Sequence, residues 1–313
     1  MWNKVERFVD EAEHVTKFLF TRDDIAVEAV LYRYPTYAER TVLCISTMCG
    51  CPMGCRFCGT GDYFVRSLTA DEIIGQVDYI LGNWIEGIEP SSIKKLQVMV
   101  MSMGEPALVR SLEPAFETLY QKYPNAALLI SSSGPDVDYQ WITDMSVRIP
   151  TIGLQFSVHE STDEARDKLI PFKKKLNLNQ IAATGNKWAK ATQRRPYFNY
   201  CSHDGNVSEA DAYRLQELFD PEIWEATVSV ICERSDGFSE RNNHQRELAV
   251  DFGNRLLERG FNVRVFDPAG QDTIGGGCGQ LHRYQEWIVE HPELAKPSCG
   301  NGKPMIHIPI VAA

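Results

Sequence analysis

No apolar run in the chain approaches the ~20 residues that a membrane-crossing helix requires. The opening stretch, MWNKVERFVDEAEHVTKFLF, is broken by charges where a secretory leader needs continuous apolar residues. Both absences point to a soluble, cytoplasmic protein with no membrane partner. No low-complexity linker and no short-period repeat divides the sequence, and the composition excludes disorder, collagen-like repetition and a small disulfide scaffold. Positive charge is scarce as well: 32 Lys and Arg stand against 42 Asp and Glu, a net charge of −10. A polyanion is therefore not attracted globally, and any contact with one must be local.

What the chain does contain is enough apolar material for a full core, 43% of 313 residues. That length suits two domains, or one α/β barrel. Cysteine is present in an odd number, nine, and five of them (Cys44, Cys49, Cys51, Cys55, Cys58) fall within 15 residues. In a reducing compartment such a cluster points to metal binding or catalysis rather than to disulfides.

Trp2, Val5, Phe8, Val9, Ala12, Val15 and Leu19 recur at helical spacing, which predicts an amphipathic helix over the first 20 residues. Residues 26–33 and 41–46 read as strands joined by a turn. Thereafter strand-like and helix-like segments alternate: helix 69–82, strand 96–102, helix 111–122, strand 126–132, helix 138–145, strand 152–158, helices 161–168 and 177–191, strand 196–201, helix 208–219, strand 227–232, helix 240–259 and strand 262–267. Six or seven β-α units in series predict an α/β fold with a parallel sheet, closed or partly closed as a barrel. The expected division is an N-terminal helix and β-hairpin extension over 1–40, a barrel core over 41–285 and a tail over 286–313. Active sites of such folds lie at the carboxyl ends of the strands. Cys51 to Cys58, Gly104-Glu105, Ser131, His159 and Cys278 all follow predicted strands.

Cys51-Pro-Met-Gly-Cys55-Arg-Phe-Cys58 reads C-x-x-x-C-x-x-C. Three thiolates on one loop can bind three irons of a 4Fe–4S cube and leave the fourth iron open to an external ligand. The alternative is a structural zinc site, closed by a fourth ligand such as Cys44 or Cys49. Residues 173–195 carry seven Lys or Arg and no acid, which suits either a phosphate-binding face or a solvated helix pair. Trp188 within it is either a base-stacking ring or a core residue.

The cysteine spacing is that of the radical S-adenosylmethionine (SAM) superfamily. With TVLCISTMCGCPMGCRFCGTG, LTADEIIGQV, VMVMSMGEP, SSSG, FSVHE, IPFKKK and GGGCGQL in that order, the chain resembles the RlmN/Cfr group of radical SAM adenine methyltransferases. The resemblance implies a partial (β/α)6 TIM-like radical SAM barrel. It implies that Cys51, Cys55 and Cys58 hold a 4Fe–4S cluster whose open iron is chelated by SAM, and that Gly104, Glu105, Ser131, Ser157, Val158 and His159 contact SAM. By the same resemblance Cys278 carries the methyl group, and Cys44 forms a disulfide with it to release the product. Cys49, Cys201, Cys232 and Cys299 match no family role and are expected to be structural. The implied reaction is methyl transfer to an sp² carbon, with an adenine in RNA or a nucleotide-like molecule as substrate and a flavodoxin- or ferredoxin-type electron donor. A radical SAM enzyme acting on a small molecule or peptide is the alternative.

Overall fold

In the computed structural model, which describes residues 2–10, 13–23, 25–230 and 241–267, Lys4–Val9 and Val15–Arg22 are extended rather than helical. Strands β1 (Lys4–Val9) and β2 (Val15–Arg22) pair antiparallel, with Val9 opposite Thr16. Asp10 closes the turn between them, its Oδ1 accepting from Val15 N at 2.8 Å. The expected N-terminal helix is thus corrected to a hairpin. The physical reason lies in VTKFLFTR, which is rich in β-branched and aromatic residues. Period-two alternation puts Phe18 and Phe20 on one face, where both are fully buried against Tyr79, with Trp84 beside Phe18.

The chain continues antiparallel through β3 (Ile25–Arg33) and β4 (Arg40–Cys44). A small hairpin, β5 (Met48–Gly50) with β6 (Phe64–Ser67), brackets the cysteine loop. Helix α1 (Ala70–Asn83) starts at a capping box in which Thr69 and Glu72 satisfy each other's backbone N–H groups. There follow β7 (Lys95–Val100), α2 (Leu112–Lys122), β8 (Ala126–Ser132), α3 (Gln140–Arg148), β9 (Ile152–Ser157), α4 (Asp163–Leu169) and α5 (Leu178–Thr192). The described elements end with β10 (Tyr197–Ser202), α6 (Glu209–Leu218), β11 (Glu225–Val230), α7 (Arg241–Glu258) and β12 (Asn262–Phe266).

Ten strands form one sheet in the order β1-β2-β3-β4-β7-β8-β9-β10-β11-β12, and from β4 onward every pair is parallel. Among the described residues β1 and β12 remain edges, so the barrel is partial. Alternation sorts the side chains into two faces. Leu96, Val98, Val100, Leu128, Ile130, Leu154, Phe156, Phe198 and Val228 pack in the large core shared with the helices. The opposite, inner face carries Val42 and Cys44 beside Met99 and Met101, and at the strand ends Ser131, Ser157, Asn199 and Ser229.

Helix α5 approaches Trp224 so closely that a Cβ on Gly185 would lie 2.1 Å from the indole. Gly185→Ala is expected to destabilise the protein by about 1–3 kcal/mol through overpacking. Gly82→Ala, in α1 with nothing within 4 Å of the added atom, is expected to stabilise it by about 0.5–1 kcal/mol. Urea unfolding midpoints of the two variants check both signs.

Candidate active site

The cysteine loop leaves β5 at Gly50, whose φ of +75° and a virtual Cβ 2.2 Å from Tyr63 O leave room for glycine alone. Cys51 N donates to Tyr63 O at 2.8 Å, so both ends of the loop are tied. Within it Cys58 N bonds Cys55 O at 3.1 Å and Gly61 N bonds Cys58 O at 3.2 Å. Met53 and Cys55 pack on Ile170 just beyond α4. Arg56 pins the same contact, its N–H donating to Leu169 O at 3.0 Å and its Nε to Lys168 O at 2.7 Å.

Cys51, Cys55, Cys58, Gly104, Glu105, Ser131, Ser157 and His159 all line one cavity at the carboxyl ends of the parallel strands. Burial pushes the thiols of all three loop cysteines up, Cys55 up to about 12. Without a bound cation they stay protonated, and metal binding there must release protons. Among the described residues no three Cys, His, Asp or Glu side chains converge on a single ion. A cube, in which each thiolate takes a different iron, calls for thiols that face one cavity without meeting at one point.

Gly104 follows β7 with φ +107°, and a Cβ there would sit 2.7 Å from both Met48 and Thr47 Oγ1. The cluster hairpin and the β7 loop thus touch backbone to side chain. Glu105 is 2% exposed. Its Oε1 accepts from Ala107 N at 3.0 Å and its Oε2 from Ser133 N at 2.6 Å. Burial outweighs these donors and raises its carboxyl from 4.5 to about 7.

Ser131 Oγ accepts from Gln155 Nε2 at 3.0 Å. His159, at φ +63°, accepts from Cys201 N at Nδ1, 3.2 Å, which puts the ring hydrogen of the neutral imidazole on Nε2. Burial first, then the charges of Arg166 and His203, hold it neutral, down to about 3. Phe57 of the cysteine loop meets the ring edge-on at 5.0 Å. Val158 does not line the cavity: its side chain is in the core, its N–H donates to Asn199 O at 2.9 Å, and its carbonyl accepts from Arg166.

Arg166, 1% exposed, organises these loops. It donates to Val158 O at 3.2 Å, Leu176 O at 3.0 Å, Ser133 O at 2.7 Å and Ser157 O at 3.3 Å. Its sequence context gives no hint of this, since a lone Arg inside DEARDKL has the pattern of a helix-surface charge.

Cys44 is buried on the inner face among Val30, Tyr32 and Met99, next to Met101, which does line the cavity. Cys278, Cys232 and Cys299, with the GGGCGQL segment and the expected tail, lie outside the described residues. Cys201, expected to be structural, lines the cavity together with Asn199 and Ser229. The strand alternation could have revealed it, since Asn199 and Cys201 share a face and Asn199 stands in register with Ser157. The basic run 173–195 is not one face. Arg194 and Arg195 bind backbone carbonyls at the opposite, amino ends of the strands, and Trp188 is buried core.

No protein-family model matches the chain. Among curated proteins it is 30% identical over 285 residues to a probable dual-specificity RNA methyltransferase RlmN of Petrotoga mobilis, covering 88% of this chain and 77% of that protein. To the dual-specificity RNA methyltransferase RlmN of Syntrophotalea carbinolica it is 31% identical over 280 residues, covering 87% and 71%. The chain belongs to the RlmN family. The crystal structure of a radical SAM methyltransferase from Sphaerobacter thermophilus superposes with a TM-score of 0.75 at 26% identity, covering 89% of this chain and 80% of that one. As an RlmN-family protein it is a radical SAM methyltransferase, a transferase whose cofactors are a 4Fe–4S cluster and SAM. The cavity's three loop thiols, buried carboxyl and fixed hydrogen-bond donors fit both.

The raised carboxyl of Glu105 has a definite sign. Between 4.5 and about 7 the folded protein holds a proton that the unfolded chain has released, so this group's contribution to stability falls as pH rises and levels off above about 7. The stability of metal-free Glu105→Ala relative to wild type should therefore rise across that window, by at most on the order of 3 kcal/mol. Urea unfolding of both proteins at about pH 5 and about pH 8 checks it.

Proposed function

We propose that the chain methylates an adenine ring carbon in RNA, with Cys278 as the methyl carrier and Cys44 as the resolving thiol. The observation that supports it most is the meeting of Cys51, Cys55 and Cys58 with Gly104, Glu105, Ser157 and His159 around one cavity. The RNA substrate follows from the names of the relatives, dual-specificity RNA methyltransferases.

In this reading the three loop thiolates hold the cluster, Gly104 lets the backbone approach SAM, and the Glu105 carboxylate receives its ammonium. Ser131, Ser157 and the Nε2–H of His159 take the nucleoside end, and the Val158 backbone shapes the turn between them. Bound there, the cluster would supply an electron, one SAM the methyl carbon and a second SAM the radical that activates it. Cys278 accepts the methyl as a thiolate nucleophile. Cys44 would then attack the sulfur of the thioether linking Cys278 to the product carbon; the S–C bond breaks, its electron pair goes to that carbon, which takes up a proton to become the methyl group, and the two cysteines end as a disulfide that must be reduced before the next cycle. A flavodoxin- or ferredoxin-type protein is the electron donor, and the cytoplasm is the site of action. No helix among the described residues is long and apolar enough to cross a membrane.

Anaerobically purified protein should contain about four irons per chain, with a matching amount of sulfide. Incubated with methyl-labelled SAM and RNA, it should transfer label to adenine. Cys278→Ala should still cleave SAM yet leave RNA unlabelled, and Cys44→Ala should accumulate a covalent protein–RNA adduct visible by mass spectrometry. Label found only in a small molecule or peptide would overturn the RNA reading, and full methylation by Cys278→Ala would remove the role given to that cysteine.

A further inference from the structure

Asn199 borders the cavity from β10, in register with Ser157 of β9, and is 7% exposed. Its backbone carbonyl is held by Val158 N at 2.9 Å and His159 N at 3.2 Å, so its position is set by the same turn that presents His159. From β11 the Ser229 hydroxyl donates to Asn199 Oδ1 at 2.7 Å. That bond turns the amide oxygen away and leaves the Nδ2 hydrogens on the other side. Nδ2 has no partner among the described residues, although nine-tenths of the side chain is out of solvent. The amide N–H pair opens into the cavity rather than into the core, and in a walled cavity an acceptor offered by a ligand meets less competing water than on an open surface.

The chemistry of that acceptor follows from the placement. An N–H donor does not suit a cationic ammonium, which Glu105 serves at the end of β7, separated from β10 by two intervening strands in the sheet order. Asn199 faces the nucleoside end together with Ser157. A sugar hydroxyl both accepts from an amide and donates to a neighbouring serine oxygen, and so satisfies the two side chains at once.

We propose that Asn199, locked by Ser229, is a ribose-positioning residue whose Nδ2 donates to a ribose hydroxyl of SAM beside Ser157. This rests on the reading of the cavity as the SAM site. The test is equilibrium binding of labelled SAM, and of its 2′-deoxyadenosyl and 3′-deoxyadenosyl counterparts, to the cluster-loaded protein. Asn199→Ala should weaken SAM about tenfold. Ser229→Ala, which leaves Asn199 in place but frees its amide to rotate, should weaken it by less, about threefold. One of the two deoxy compounds should bind wild type about as weakly as SAM binds Asn199→Ala and lose nothing further in that variant, a coupling that a merely structural role does not produce. If the Ala variant fails to fold, Ser229→Ala with the same pair of ligands carries the test. Unchanged SAM affinity in Asn199→Ala, or losses that simply add, would overturn the inference. Wild-type protein that holds four irons yet binds no SAM would instead overturn the reading of the cavity itself.

Discussion

One buried cation holds the catalytic end of this protein together. Arg166 has no carboxylate within ion-pair distance among the described residues, and its guanidinium is satisfied by backbone carbonyls instead. Those carbonyls belong to the turn after β8, the end of β9 with the turn after it, and the segment entering α5; the first and last are also joined by backbone bonds, Leu176 N to Gly134 O and Asp136 N to Lys174 O, each 2.8 Å. Burial lowers the proton affinity of the guanidinium, though arginine stays charged regardless. The positive charge then faces Cys55, Glu105 and His159, favouring anionic forms of the first two and a neutral imidazole in the third. A single side chain thereby fixes geometry and electrostatics together. A lysine, with one compact ammonium, does not reproduce four separated donor directions.

The parallel sheet converts alternation into a division of labour. Its helix-facing side is apolar apart from buried hydroxyls such as Thr41, Ser132 and Ser202, whereas the inner side changes character along the strands, from Met99 toward Ser131, Ser157, Asn199 and Ser229 at the carboxyl ends. Polar groups collect where the strands stop pairing and side chains meet a cavity rather than a core. The cysteine loop closes over that end, tied by the β5–β6 hairpin on one side and by Arg56 to the end of α4 on the other. Cys44 sits one layer deeper on the same inner face, beside methionines whose flexible side chains suit a wall that adapts to what occupies the cavity.

Much of this was legible from residue order. The parallel strands and helices fall within a few residues of their expected bounds because their periodic patterns are clear, and α1, α4, α5 and α6 also start at side-chain caps, as in the Thr69–Glu72 box. The N-terminal hairpin was not, because Trp2, Val5, Phe8 and Leu19 also satisfy a helical spacing. What decides against a helix is tertiary: β2 finds a pairing partner in β3, and Phe18 and Phe20 find a pocket against α1. The cysteine motif was readable because its spacing is local. Arg166 was not, since its role depends on contacts between loops far apart in sequence, whereas Asn199 and Cys201 were legible only through strand alternation combined with the register to Ser157. The basic run stayed open between two readings for the complementary reason: composition does not reveal that Arg194 and Arg195 spend their donors on carbonyls at the other end of the barrel.

The central claim is that three thiols of one loop leave one metal corner vacant for SAM beside Glu105 and Ser157. Mössbauer spectroscopy of iron-isotope-enriched protein, recorded before and after SAM is added, addresses it directly. The account predicts a cube in which a single iron changes its isomer shift and quadrupole splitting on SAM binding while the other three do not. A cube whose four irons are all indifferent to SAM, or a protein that takes up one zinc and no iron, would contradict it.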